Sequence, residues 1–168
     1  MNSFFISQFN YCPLIWMCHN RSLNNRINRL HERFLRIIYC DHLSPFNLLL
    51  ERDNAVTIHH RNIQYLAIEM FKVYNNLAPS IVSEIFLRND NPHYKTRNVP
   101  DFIIPRTRSV YHGTESISVL GPKIWQIIPP IYKNEPTLNA FKQTIKKWIP
   151  TECPCRLCKV YIQGVGFM

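Results

Sequence analysis

Glycine is scarce in this chain: four residues in 168, against twelve prolines. No glycine-rich phosphate cradle is present, and neither G-x-S-x-G nor H-E-x-x-H occurs. Acidic residues are also few, 11 against 20 Lys and Arg, and they are scattered singly. No adjacent aspartates are available to hold two magnesium ions, so the chain carries no polymerisation centre and is not expected to be an enzyme. No apolar run reaches the roughly 18 residues of a membrane span, and no membrane partner is expected. Met1-Asn2-Ser3 offers no basic n-region, and Tyr11-Cys12-Pro13 is no signal-cleavage site. The expected compartment is intracellular, nuclear or cytoplasmic. There the six cysteines serve as thiols or metal ligands rather than as a disulfide frame.

What is present is enough to build a core. Hydrophobic residues make up 46% of the chain, and the formal charge of +9 calls for an anionic partner, nucleic acid ahead of an acidic membrane surface. The clearest helix runs from Thr57 to Pro79. Ile63, Leu66, Ala67, Met70, Phe71, Tyr74 and Leu77 recur at three- and four-residue steps, which stacks them on one helical face. Arg61, Gln64, Glu69, Lys72 and Asn75 fall on the other side. Thr57 is placed to cap the first turn, and Asn75, Asn76 and Pro79 to stop the last. Such a face must be covered, since each large apolar side chain contributes about 1.5–3 kcal/mol when buried.

The flanking segments have the patterns to cover it. Residues 4–18 are apolar on nearly all sides and predict a buried helix, kinked or split at Pro13, or two short turns. A chain that opens on buried structure reads as the continuation of a longer one. A second helix spans Ser22–Tyr39, with an apolar stripe of Leu23, Ile27, Leu30, Phe34, Ile37 and Ile38. Ser44-Pro45 starts a short helix. Residues 80–86 form another, whose Ile81, Ile85 and Phe86 close the bundle. From Arg88 to Tyr111 the helical period is lost. Short helices follow at Gly121–Pro129 and Leu138–Trp148, the latter capped by Thr137. The predicted fold is mainly α: a helical bundle over 1–88, an irregular proline-rich segment and two short helices over 89–150, and a cysteine-containing tail over 151–168. The predicted core is Ile27, Leu30, Phe34, Leu66, Met70, Phe71, Tyr74, Trp125, Phe141 and Trp148.

Two patterns carry chemistry. Arg26, Arg29, Arg33 and Arg36 step by three, four and three along the second helix, so they share one flank beside its apolar stripe. All four are Arg and none is Lys. A guanidinium fork matches phosphate geometry, whereas solubility alone would accept Lys. Lys95, Arg97, Arg106 and Arg108 alternate with Tyr94, Phe102 and Tyr111, a mixture that can pair phosphates and stack bases. The second pattern is C-P-C-R-L-C. Cys153, Cys155 and Cys158 are expected to lie together near the surface and to supply an incomplete ligand set for one zinc. His112, His93 or Cys40 could complete it by folding, or a second chain could supply the missing ligand. His59 and His60 are adjacent, so they point to different sides of a helix and cannot both face one metal there.

S-Q-F-N-Y-C-P-L-I-W-M (7–17), R-I-N-R-L-H-E-R (26–33), H-H-R-N-I-Q-Y-L-A-I-E-M-F-K (59–72) and G-T-E-S-I-S-V-L-G-P-K-I-W (113–125) resemble the C-terminal portion of reverse transcriptases from non-LTR, LINE-like retrotransposons. L-N-A-F-K-Q-T-I-K-K-W (138–148) and C-P-C-R-L-C-K-V-Y-I-Q-G-V-G-F (153–167) extend the resemblance over essentially the whole chain. It implies a helical, basic thumb and a Cys-rich tail. The palm's aspartates and the endonuclease are absent, so the family's polymerase chemistry carries over to no residue. The thumb's task does: gripping a template–primer duplex of RNA or DNA through its backbone, beside the palm and fingers of the parent protein. The alternative is a stand-alone protein-interaction module whose basic helix face meets an acidic partner.

Overall fold

A computed structural model describes residues 2–17, 20–90, 100–109, 113, 116–150, 153, 155 and 157. The described fold is mainly α, with nine helices and one isolated antiparallel bridge, Arg88 to Phe102. No described helix is long and apolar enough to cross a membrane. The chain divides into two compact units, 1–63 and 64–168. The division falls inside a helix, whereas the sequence pattern puts its boundary at residue 88.

The first unit holds α1 (Asn2–Phe9), α2 (Pro13–Trp16), α3 (Arg21–Tyr39), α4 (Phe46–Arg52) and the first turns of α5 (Ile58–Tyr74). Pro13 splits the opening segment as expected: Cys12 takes a left-handed conformation (φ 44°) and α2 starts at the proline. The expected burial is not found. Tyr11 and Ile15 are exposed and only Met17 is buried among the described side chains of this segment, because two helices this short each have little face to cover. α3 begins where Asn20 accepts a hydrogen bond from the Leu23 amide at 2.9 Å. Its buried face is Asn24, Ile27, Asn28, His31 and Leu35. The predicted apolar stripe is therefore corrected. Leu23, Leu30 and Ile37 are 43%, 52% and 73% exposed, and Phe34 and Ile38 are half-buried.

The cause lies in α4. Leu35 packs with Phe46, Leu49 and Leu50 in one buried cluster, and the His31 ring sits edge-on to Phe46 at 5.6 Å. Turning α3 to bury Leu30 would withdraw Leu35 from that cluster. The corner is pinned by polar contacts too. Tyr39 donates to Asp53 at 2.8 Å. Asp41 accepts from the Leu43 and Ser44 amides at 3.1 and 3.0 Å, bonds that with the Ser44 side chain hold its carboxyl down to about 2. α3, α4 and α5 all end alike. A left-handed residue (Cys40, Asn54, Asn76) is followed by an amide that reaches back to the carbonyl five residues earlier, at 3.2, 2.9 and 2.7 Å. Asparagine tolerates that conformation, so two of these three stops follow from composition.

The second unit holds the rest of α5, then α6 (Ser80–Ile85), α7 (Ile117–Ile127), α8 (Pro130–Lys133) and α9 (Leu138–Ile145). Thr57 caps α5 through the His60 amide at 3.2 Å, and Thr137 caps α9 through the Ala140 amide at 3.2 Å. Leu66, Met70 and Phe71 are buried, as are Trp125, Phe141 and Trp148. Phe71 stacks on Phe141 at 4.2 Å, and Phe102 meets Trp125 edge-on at 5.8 Å. Trp125 donates its indole N–H to Asp101 at 2.7 Å. Tyr74, expected in the core, is 36% exposed; it lies at the margin, with the Arg88 guanidinium over its ring. Of the residues expected to close the bundle from α6, only Phe86 is buried, while Ile81 and Ile85 are exposed. α7 starts a turn earlier than expected, which leaves Pro122 inside it. Gly121 lets it approach closely, since a Cβ there would sit 2.5 Å from Phe86 and 2.9 Å from the Met70 sulfur.

His31 makes the first unit acid-sensitive. It is fully buried, and burial lowers its pKa from 6.5 to about 4, with Asp53 opposing and Arg61 assisting the shift. The unfolded chain therefore binds a proton that the folded chain refuses between those values. Stability from this group is complete above pH 6.5, falls as pH drops through that window and levels off near pH 4. Denaturant titrations at pH 7 and 4.5 should show a loss of roughly 2–3 kcal/mol that His31→Leu removes. An unchanged loss in His31→Leu would show that this imidazole is not the cause.

Candidate nucleic-acid interface and metal cluster

α3 turns its buried face inward and its Arg residues outward. At about 100° per residue, the arc of Arg26, Arg29, Arg33 and Arg36 is centred roughly opposite the arc of Asn24, Asn28, His31 and Leu35. Arg26, Arg29 and Arg33 are exposed. Among the described residues none of the three has an ion-pair or hydrogen-bond partner. Arg36 differs: half-buried, it pairs with Glu32 at 2.7 Å and donates to the Asp41 carbonyl at 3.3 Å. The sequence places the four beside the apolar stripe, and that holds of the exposed row Leu23, Leu30 and Ile37. Arg106 and Arg108 are exposed on the irregular stretch after the Phe102 bridge. Lys95 and Arg97 lie outside the described residues.

The tail cysteines are positioned by a residue that periodicity assigns to the solvent side of α5. Gln64 is buried, and its amide donates to the Lys146 and Trp148 carbonyls, both at 3.1 Å. That draws the chain beyond α9 back onto the helix. Trp148 and Pro150 are buried in consequence, and so are Cys153 and Cys155, at 4% and 2% exposed. The expectation that these thiols lie near the surface is therefore corrected. Cys158, with His93 and His112, lies outside the described residues. Cys40 is exposed at the end of α3.

His59, Cys153 and Cys155 can hold a metal ion. All three are buried, and one ligand atom from each lies within 4.8 Å of the others. The donor set is one imidazole nitrogen and two thiol sulfurs, a borderline-soft set suited to tetrahedral coordination. His59 is the residue that sequence pattern alone does not single out. Two adjacent histidines cannot share a metal on one helix, but one of them can bind it: His59 is buried and His60 is half-buried. No family model, curated protein or solved structure matches this chain.

Cobalt(II) added to reduced, metal-stripped protein is expected to give the absorption of a thiolate-bound tetrahedral ion, with Cys155→Ser and His59→Ala weakening it by at least about tenfold, the usual lower range for disturbing a site's ligand environment. Spectra and affinities unchanged in both variants would exclude this cluster as the site.

Proposed function

We propose that this chain is a non-catalytic, nucleic-acid-binding portion of a retroelement RNA-directed DNA polymerase, which grips a template–primer duplex through its phosphates. The observation that carries the reading is the outward face of α3, where Arg26, Arg29 and Arg33 stand exposed without partners among the described residues. Folding does not use their charge, and three guanidiniums along about ten ångströms of helix match a run of backbone phosphates. The formal charge of +9 supports it, as does the resemblance at residues 26–33. Phosphate contacts fix position and carry no sequence information, so binding is independent of base sequence. Arg106 and Arg108 are secondary candidates for phosphate contact, and the partners of the chain are the duplex and the parent's palm and fingers. We further propose that the ion held by His59, Cys153 and Cys155 is zinc, which the nitrogen and sulfur donors suit.

The triple variant Arg26→Gln/Arg29→Gln/Arg33→Gln should keep its helical circular dichroism. Its affinity for a primer–template duplex should fall uniformly across sequences. The slope of log K against log salt should flatten by about 2–2.7, or 0.7–0.9 for each phosphate no longer neutralised. An affinity and a slope equal to the parent's would leave these arginines as a solvated surface.

A further inference from the structure

Phosphate binding leaves one exposed row of α3 unexplained. Leu23, Leu30 and Ile37 are exposed at intervals of seven residues, so they form one row about 21 Å long at 1.5 Å per residue. Successive members drift by only about 20°, the offset that a left-handed supercoil takes up. Arg26 and Arg33 each follow a leucine by three residues and edge the row along its length. In heptad terms the leucines and Ile37 occupy a seam position, and the two arginines sit where coiled coils carry their partner-selecting charges.

We propose that this row is the docking site of a partner helix that has its own apolar heptad row edged with Asp or Glu. Charge decides among the occupants. A second copy of the chain offers these arginines no free carboxylate, and packed antiparallel it would set Arg26 and Arg33 against the same arginines. The helix's one carboxylate, Glu32, is already paired with Arg36. A membrane surface requires a broad apolar face, whereas here one row is exposed: Phe34 and Ile38 on one side of it are half-buried, and Arg26 and Arg33 edge the other. A duplex backbone satisfies the arginines and leaves the apolar row in water. A helix of at least four turns with carboxylates along its seam matches both features. The inference rests on Leu23, Leu30 and Ile37 and shares Arg26 and Arg33 with the nucleic-acid reading, so variants at the leucines, which leave those arginines in place, tell the two apart.

The test uses the full chain and a fluorescent three-heptad peptide with Leu at its seam and Glu at every flanking position, which is kept from pairing with itself at neutral pH by its own charge. Anisotropy should report binding of this peptide and none of the Lys-flanked version. Leu30→Ser and, separately, Leu23→Ser should each weaken binding by about tenfold, the effect of losing one apolar anchor, while circular dichroism and duplex affinity stay unchanged. Arg26→Gln/Arg33→Gln should weaken it several-fold. No binding of the acidic peptide, or equal binding by Leu30→Ser, overturns the proposal. Binding of anionic vesicles that Leu30→Ser abolishes, with none of the peptide, would assign the row to a membrane and overturn it equally.

Discussion

The packing of α4 against the Leu35 side of α3 sets what this protein presents to its surroundings. Leu35, Phe46, Leu49 and Leu50 bury one another, and the His31 ring meets Phe46. These contacts fix the rotation of a nineteen-residue helix. Once that rotation is set, Asn24 and Asn28 must go inside and Leu23, Leu30 and Ile37 must stay out. Burying the polar side has a cost. Among the described residues Asn28 Oδ1 has no hydrogen-bond partner, a deficit of about 1–3 kcal/mol. The apolar cluster and the pinned corner at Tyr39 and Asp41 outweigh it. The arginines follow passively: they lie opposite the buried arc, so the same rotation delivers them to solvent.

That rotation is also where sequence reasoning fails. Periodicity identifies α3, α5 and α9 and the caps at Thr57 and Thr137, because those signals are local. It chooses the wrong face of α3 because it ranks faces by apolar count. α3 carries two usable faces, one richer in leucine and one matched to α4, and only tertiary packing decides between them. Gln64 is misassigned for a similar reason. Its side chain is polar, and nothing in the local pattern indicates that two carbonyls beyond residue 145 need its amide.

The candidate metal ligands are partly legible. Three cysteines within six residues mark a thiol site by composition, and Cys153 and Cys155 are buried as ligands of a closed site are. The nitrogen donor cannot be read in the same way, since His59 is separated from the cysteines by more than ninety residues of sequence. Adjacency to His60 counts against both histidines, although it excludes only their joint use. The basic face is legible as a count of arginines and as their helical step. Its separation from the core is not, because that depends on the same rotation of α3.

The rotation of α3 can be measured directly by thiol labelling at single positions. With Cys12, Cys18, Cys40 and Cys158 replaced by serine, so that only the buried Cys153 and Cys155 remain beside the probe, cysteine is placed in turn at Leu23, Leu30, Asn28 and His31. The account predicts that native protein is modified rapidly at 23 and 30, and at 28 and 31 only when the fold opens, at rates lower by orders of magnitude. Rapid modification at 28 and 31 with protection at 23 and 30 would mean that the leucine face is the buried one, and the surface described for α3 would be wrong.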